Sequence, residues 1–431
     1  MDEALILARV QFGLNIGFHI LFPAITIGLA WLIVVFRLRY QRTRDPAWLA
    51  TYRLWVKVFA LSFAMGVVTG VVMSFQFGTN WPGFMNTVGN IAGPLLAYEV
   101  LTAFFLEATF LGVMLFGMNR VPDWVHVMSA VIVAIGTTVS AFWILALNSW
   151  MQTPAGQVEA GEELIAGSWL EVIFNPSFPY RLTHMLLASG ITAAFLVAGL
   201  SAWRLLKDSA DAAALKTLRF GAALAAVLVP LQIVAGDLHG LNTLEHQPAK
   251  IAAVEALWQT ERGAPLVLFA LIREDRQGNE HVLSIPKGAS LILTHQLDGE
   301  VKGLAEFGSD VPPVAPVFWA FRVMVGMGVL MLFLSWTSVF LLKKPLPPRW
   351  LLWSFAGFTF SGWVATLAGW LVTEIGRQPW LVTGILYTED AAGAASGAQL
   401  GASLTAYVLT YAVLLISYVV VITHLAAKGA R

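Results

Sequence analysis

The chain has 431 residues, of which 58% are hydrophobic and only 12% are charged, with 26 basic residues balancing 26 acidic residues. A soluble domain of this length would carry about twice that charged fraction, and a net charge of zero gives no indication of a nucleic-acid partner. The absence of cysteine excludes iron–sulfur clusters, thiolate-bound zinc and covalently attached c-type haem, so any metal must be held by His, Met or carboxylate.

Nine apolar runs are long enough to cross a hydrocarbon core of about 30 Å, and in lipid such runs form helices. The alternating hydrophobicity of an outer-membrane barrel is absent. No basic stretch precedes the first run, as a signal peptide would require, so we expect a retained span. The sequence predicts an all-α bundle of nine transmembrane helices. They cover residues 12–36, 54–76, 94–117, 125–148, 182–203, 218–237, 316–342, 351–374 and 400–424.

Lys and Arg are concentrated in alternate loops, which predicts the orientation of the bundle. Six basic residues lie at 37–57 and four at 204–219, and the C-terminal tail carries Lys428 and Arg431. The opposite loop at 77–93 has no charged residue, and the one at 150–180 carries four glutamates, Glu162 among them. The positive-inside rule then places the N-terminus outside and the C-terminus in the cytoplasm.

A long segment, 238–315, separates the sixth and seventh spans on the outer side. It contains a short amphipathic stretch at 248–258 and two apolar runs, 266–272 and 282–285, which predict a hairpin with its turn at Gly278-Asn279. Segments of this length are usually functional or disordered, and the mixture of apolar strand and amphipathic helix favours an ordered, functional one. The sequence therefore divides into helices 1–6 (1–237), the outer segment (238–315) and helices 7–9 (316–431).

Polar side chains at membrane depth are costly and mark functional positions. His19 in the first span suits an axial ligand of haem iron, although a packing histidine bonded to a carbonyl is the alternative. His184, at the outer start of the fifth span, suits a haem whose second ligand is a Met sulfur. Met324 and Met327 in the seventh span are candidates, or packing filler, and Arg322 is placed to pair with a haem propionate.

Carboxylates form a second set of membrane positions. Glu99 and Glu107 lie eight residues apart, about 80° from one another around a helix, which suits a proton relay, iron ligation by one of them, or two protonated acids bonded to hydroxyls. Trp370, Glu374 and Arg377 share one face at the outer end of the eighth span. That face suits a metal centre and its propionates, with a plain ion pair as the alternative.

These residues carry a resemblance that covers essentially the whole chain. Its elements are the Gly-Arg-Gln-Pro-Trp segment at 376–380, Phe-Arg-Val-Met at 321–324, His19, Glu99, Glu107, and Lys250 and Glu255 in the outer segment. In this set and order the chain resembles subunit I of the cytochrome bd-type quinol oxidases.

The resemblance implies three haem groups. His184 and Met324 would ligate a low-spin haem b, with Arg322 beside it. His19, Glu99 and Glu374 would supply ligands for a high-spin haem b and for haem d, or a further haem b in its place. The short outer segment is similar to that of relatives with little or no haem d, so the third haem stays open, as does the choice of His19 or Glu374 at the O2-reducing haem.

The remaining roles are also implied by the resemblance. Trp370 and Arg377 would order the high-spin haems, and Glu107 with Ser140 on the fourth span would supply protons from the cytoplasm. Lys250 and Glu255 would bind quinol. Residues five apart on one ideal helix point about 140° away from each other, so a single quinol between them requires a break in that helix.

The implied activity is that of a terminal oxidase in a bacterial or archaeal cytoplasmic membrane. It would oxidise ubiquinol or menaquinol at the outer face and reduce O2 to water with cytoplasmic protons. Subunit II and a small single-span subunit would accompany it in the lipid bilayer. The alternative is an ion- or proton-coupled secondary transporter, although we find none of the inverted repeats that transporters often show.

Other haem enzymes fit the histidines less well. A haem–copper oxidase needs more histidines than the spans offer, among them His19, His126 and His184. We interpret His126 as structural. His239 falls in the outer segment by this division, and no role is assigned to it.

Overall fold

The structure, a computed structural model, describes residues 3–161, 163–345 and 347–428. Glu162 and Arg431, which contribute to the predicted orientation, lie outside the described residues, as do residues 1 and 2 at the start of the chain. Within the described part, nine helices are long and apolar enough to cross a membrane. The predicted nine-span helical bundle is confirmed.

Seven spans are single helices, and two are built from paired helices. A π-helical turn, Val100–Phe104, joins α3 to α4, and α12 is followed by α13 in the eighth span. The helices are α1 (Glu3–Thr43), α2 (Pro46–Thr79), α3 (Pro82–Glu99), α4 (Phe105–Phe116), α5 (Asp123–Gln152), α6 (Trp169–Ile173), α7 (Phe178–Lys207), α8 (Ala212–His246), α9 (Pro248–Glu255), α10 (Gly288–Thr294), α11 (Val314–Leu341), α12 (Arg349–Gly357), α13 (Ser361–Ile375), α14 (Thr388–Ala391) and α15 (Gly397–Lys428).

In the described part of the chain, eight short strands form four separate two-stranded sheets, all outside the spans. In each sheet the two strands are antiparallel. The strands are β1 (Gln157–Ala160), β2 (Glu163–Ala166), β3 (Glu261–Arg262), β4 (Leu266–Arg273), β5 (Gly278–Ile285), β6 (Glu300–Val301), β7 (Trp380–Val382) and β8 (Leu386–Tyr387), paired β1 with β2, β3 with β6, β4 with β5 and β7 with β8.

The segment between the sixth and seventh spans differs from the prediction in two places. Helix α8 continues to His246, nine residues beyond the predicted end of its span, so His239 lies on a spanning helix. The predicted hairpin is confirmed as β4 and β5, but its turn is at 274–277. Gly278 and Asn279 belong to β5 and pair with Arg273 and Ile272, because Gln277 rather than Gly278 adopts the left-handed conformation of the turn.

The core of the bundle is built around α1 and α7, the two most deeply buried spans. They approach so closely at Gly28 that a Cβ there would meet the backbone of Ser189. The Ser189 hydroxyl accepts from the Gly28 N–H at 2.8 Å and donates to the Ala24 carbonyl oxygen at 2.8 Å. One hydroxyl therefore bonds both members of an i, i+4 backbone pair in the neighbouring helix, which fixes the position of α7 against α1.

Replacement of this hydroxyl tests the contact. We expect Ser189→Ala to lower the free energy of unfolding by about 1–2 kcal/mol, because two buried interhelical hydrogen bonds are lost. Thermal unfolding of the purified complex in detergent measures the change. Ser335→Ala is the matched control, since that hydroxyl bonds only the Leu332 carbonyl oxygen of its own helix. Equal effects of the two substitutions would contradict the role of Ser189.

Candidate functional site

His19 is held in one orientation by the neighbouring helix α2. Its Nδ1 lies 2.9 Å from Thr69 Oγ1, and that hydroxyl donates its own proton to the Met65 carbonyl oxygen at 2.8 Å. The Thr69 oxygen therefore accepts from Nδ1–H, which leaves Nε2 with a free lone pair. This is the arrangement in which a second group orients an imidazole for metal ligation.

A glycine lies opposite each of the three predicted nitrogen and sulfur ligands. A Cβ on Gly70 of α2 would be 3.2 Å from His19 Cε1, and one on Gly236 of α8 would be 3.3 Å from His184 Cε1. A Cβ on Gly369 of α13 would be 2.8 Å from the Met324 sulfur.

His184 and Met324 are both inside the bundle, but they make no direct contact among the described interactions. The Nδ1 of His184 is buried and has no hydrogen-bond partner within the described residues, and the ring lies 5.5 Å from that of His239 on α8. Met327, the other candidate, packs in the apolar cluster that α7, α8, α11 and α12 form. The geometry therefore favours Met324 over Met327 as the sulfur that faces a site.

Glu374 is the centre of a polar cluster at the ends of α5, α7 and α13. Its Oε2 accepts from Arg377 Nη2 at 2.5 Å, and its Oε1 accepts from Asn148 Nδ2 at 2.9 Å. Arg377 and Arg181 are each only 5% exposed. The Nε and Nη1 of Arg377 and the Nε of Arg181 are buried without a hydrogen-bond partner in the described part of the chain.

One carboxylate among buried guanidinium groups leaves excess positive charge. A buried charge needs an opposite charge and hydrogen bonds to its remaining donors. Carboxylate groups of a bound molecule would satisfy both needs, since guanidinium and carboxylate form strong paired hydrogen bonds. Haem propionates are such groups, so Arg181 and Arg377 fit the predicted cofactor.

Trp370 connects this cluster to His19. It lies one turn before Glu374 on α13, as predicted, and its ring is 3.8 Å from the position of a Cβ on Gly17, two residues before His19. The side chains of α1 and α13 that were predicted for the high-spin haems therefore belong to one region of the bundle.

The acids of the third span face α5. Ser140 donates to Glu99 Oε1 at 2.7 Å. Glu107 is 6% exposed and packs where a Cβ on Gly136 would be 2.8 Å from its Cγ. Gly136 and Ser140 are four residues apart on one face of α5, so both carboxylates lie along that face. Ser140 bonds Glu99 rather than Glu107, with which the resemblance associates it.

Lys250 extends from α9 into the interior. Its Nζ donates to Gln152 Oε1 at 2.7 Å, to Gln247 Oε1 at 2.9 Å and to the Thr373 carbonyl oxygen at 3.1 Å. Its stem packs on Gly376, where a Cβ would be 2.8 Å from its Cγ. Burial, and then the positive charges of Arg181 and Arg377, hold the pKa of Lys250 well below its usual range.

Glu255 points the other way from α9 and is bound by Arg322. The Arg322 Nη2 donates to Glu255 Oε2 at 2.9 Å, and its Nη1 and Nε donate to the carbonyl oxygens of Val254 and Val267 at 2.7 and 2.8 Å. Arg322 therefore bonds residues of the outer segment, whereas the sequence predicted that it pairs with a haem propionate. Burial raises the pKa of Glu255, and the charge of Arg322 opposes that rise.

Lys250 and Glu255 share no described contact partner, in keeping with their 140° separation on an ideal helix. Sequence reasoning also missed four residues that the structure places at these sites. A search for buried polar residues at the outer ends of spans would have found them. They are Arg181, Asn148, Gln152 and His239.

Comparison with known proteins gives one consistent family. The sequence model described as cytochrome bd terminal oxidase subunit I matches residues 7–430. The chain is 32% identical to cytochrome bd-II ubiquinol oxidase subunit 1 of Escherichia coli (strain K12), over 100% of this chain and 97% of that protein. It is 34% identical to cytochrome bd ubiquinol oxidase subunit 1 of Bacillus subtilis (strain 168), over 89% of this chain and 85% of that protein.

A solved structure agrees. The bd oxidase from Geobacillus thermodenitrificans aligns with a TM-score of 0.91 and 30% identity, covering 99% of both chains. The sequence family and the fold therefore agree over nearly the full length of the chain. The chain belongs to the cytochrome bd terminal oxidase subunit I family and is a subunit of a membrane-bound quinol:O2 oxidoreductase.

Proposed function

We propose that this chain carries the haems of the oxidase, oxidises quinol at the face formed by the outer segment and receives protons for O2 reduction from the opposite face. The observation that carries the proposal is the glycine opposite each of His19, His184 and Met324. Each glycine lets the neighbouring helix pack directly on the ligand side chain, which holds that side chain in position for ligation. The names of the relatives, both ubiquinol oxidases, support the quinol substrate.

His184 and Met324 would hold a low-spin haem b. His19, Glu99 and Glu374 would hold a high-spin haem b and either haem d or a further haem b. When bound, haem iron supplies one-electron transfer and the position at which O2 is reduced. Arg181 and Arg377 orient the cofactor carboxylates through the N–H groups that have no partner in the described part of the chain. Asn148 holds Glu374 by donating to it, and Trp370 packs at the contact between α1 and α13 beside it.

Glu107 and Glu99 move protons along α5. Buried acids at membrane depth, with a hydroxyl between helices, are typical of proton relays. Ser140 orients Glu99 by donating to it, and Gly136 admits Glu107 to the same face. In the proposed orientation, with the N-terminus outside, Glu107 is on the cytoplasmic side of Glu99.

The outer segment, with α9 as its first element, binds quinol. Glu255, whose pKa burial raises, accepts a proton from the quinol hydroxyl. Arg322 fixes α9 and β4 against α11. Subunit II and a small single-span subunit would complete the enzyme. Family membership replaces the transporter alternative.

The proposal is tested by the visible spectrum of the purified complex, reduced with dithionite minus oxidised, followed by haem extraction. We expect three haems per chain, and a band in the red region if the third is haem d. Three haems of b type would keep the ligand assignment and settle the third haem as b. A colourless complex with subunit II present would contradict the proposal.

The glycine beside Met324 provides a variant for the low-spin haem. We expect Gly369→Ala to push the Met324 sulfur out of place, since a Cβ there would lie 2.8 Å from it, and to weaken or shift the low-spin haem b band. Gly326→Ala on α11, two residues from Met324, is the control because a Cβ there meets nothing within 4 Å. An unchanged band in Gly369→Ala would contradict the ligand role of Met324.

A variant of Glu107 tests the proton relay. We expect Glu107→Gln to lower O2-reduction turnover by about 10²-fold, at the lower end of what a positioned proton-transfer group contributes, with the haem content unchanged. Oxygen consumption with excess quinol measures it. Glu171→Gln, an exposed acid on α6, is the control. A turnover equal to that of the control would rule the relay out.

The lowered pKa of Lys250 gives a pH prediction. Below the usual lysine pKa the unfolded chain binds this proton and the folded chain binds less of it. Folding stability at this site therefore rises with pH and is lost as pH falls toward the lowered value. We expect Lys250→Met to flatten the pH dependence of the thermal unfolding midpoint, and Lys287→Met, an exposed lysine of the same segment, to leave it unchanged. Parallel profiles for both variants would contradict the assignment.

A further inference from the structure

Amide side chains form a column between α1, α2 and α15, outward from His19. On α1, Asn15 and Gln11 follow at one and two turns from His19, on the same side of the helix. Gln76 on α2 and Asn80, which caps the end of α2, lie seven and eleven residues after Thr69, the residue that bonds His19. Both helices therefore continue the His19–Thr69 pair with amides toward the end of α2 at Thr79.

The column contains polar atoms that the protein does not satisfy. Gln76 is 1% exposed, and neither its Nε2 nor its Oε1 has a hydrogen-bond partner in the described part of the chain. Asn15 is fully buried, and its Oδ1 accepts from the Tyr411 hydroxyl. Among the described residues, neither Asn15 Nδ2 nor Asn80 Nδ2 has a hydrogen-bond partner. Buried polar groups without protein partners are characteristically satisfied by ordered water.

The helix register brings two of these amides to nearly the same depth. His19 lies against Gly70, Phe22 against Gly66, and Phe12 against Phe77. Helices α1 and α2 are therefore antiparallel, and the residue numbers of each facing pair add up to about 89. By that register Asn15 and Gln76 differ in depth by about 3 Å along the helix axes. Water molecules between α1 and α2 can therefore bond the Asn15 donor and both ends of the Gln76 amide.

The outer end of the column reaches the surface. Asn80 Oδ1 accepts from the hydroxyl of Thr79 at 2.9 Å, and Thr79 is exposed. The Asn80 carbonyl oxygen accepts from the Gly393 N–H at 2.9 Å, so the segment after α14 covers this end. By the alternation of the spans, this is the face of the bundle that carries the outer segment.

We propose that Asn15, Gln76 and Asn80 bind a chain of water molecules, and that this chain is the route by which water formed near His19 leaves the protein. The ligand is the product of the oxidase reaction. The exit role rests on the proposed haem ligation by His19, whereas the water sites rest on the amides alone.

The test is a cryo-EM map of the complete oxidase at a resolution that shows water. We expect density within hydrogen-bond distance of Gln76 Nε2 and Oε1 and of Asn15 Nδ2. We expect Gln76→Met to remove that density and to lower O2-reduction turnover at saturating quinol, with haem content and the KM for quinol unchanged. Exposed Gln296→Met is the control and should change none of these quantities.

Three results would overturn the inference. They are the absence of density at Gln76 in the wild-type map, a lipid or haem carboxylate in its place, and unchanged turnover in Gln76→Met after the density is lost. The wild-type map decides the water sites even if the variant fails to assemble. Failure of the proposed function is separate, because His19→Ala would then keep all haems while the density at Gln76 is unaffected.

Discussion

The arrangement at the outer end of the bundle depends on buried positive charge. Arg181, Arg377 and Lys250 are each at most 5% exposed, and Glu374 is the carboxylate that the structure places among them. Lys250 limits its share of the charge through its lowered pKa, but guanidinium groups do not lose their protons in proteins. The folded protein therefore needs anionic groups at this point. The proposed binding of cofactor carboxylates and the packing of α5, α7, α9 and α13 thus depend on the same buried charges.

Glycine allows close approach both between two backbones and between a backbone and a side chain. At Gly28 the missing Cβ lets α1 approach the backbone of α7 at Ser189. At Gly70, Gly236 and Gly369 it lets the helix pack directly on an imidazole or thioether. In lipid, helix association relies on close packing and interhelical hydrogen bonds because there is little hydrophobic gain. The same residue type thus allows close packing on a serine in the core and on the three side chains that are proposed as haem ligands.

The spans and the positions of the polar residues within them were predictable, because apolar length and membrane-depth polar residues are properties of single helices. The partners of those residues were not. Arg322 was expected at a cofactor and instead bonds Val254, Val267 and Glu255, since its partners come from a segment whose path the pattern does not reveal. The π-helical turn after Glu99 likewise leaves no signal in the sequence, although it sets the angle between Glu99 and Glu107.

Helix α9 joins the proposed quinol-binding segment to both predicted cofactor regions. Lys250 at its start bonds the ends of α5 and α13, where Glu374 lies. Glu255 at its end bonds Arg322, two residues from Met324 on α11. Because the two side chains point in opposite directions from eight residues of helix, a movement of α9 on the proposed quinol binding would act on both regions at once. The opposite orientation, which makes a single shared quinol contact hard to build, would then couple the proposed quinol site to both predicted cofactor regions.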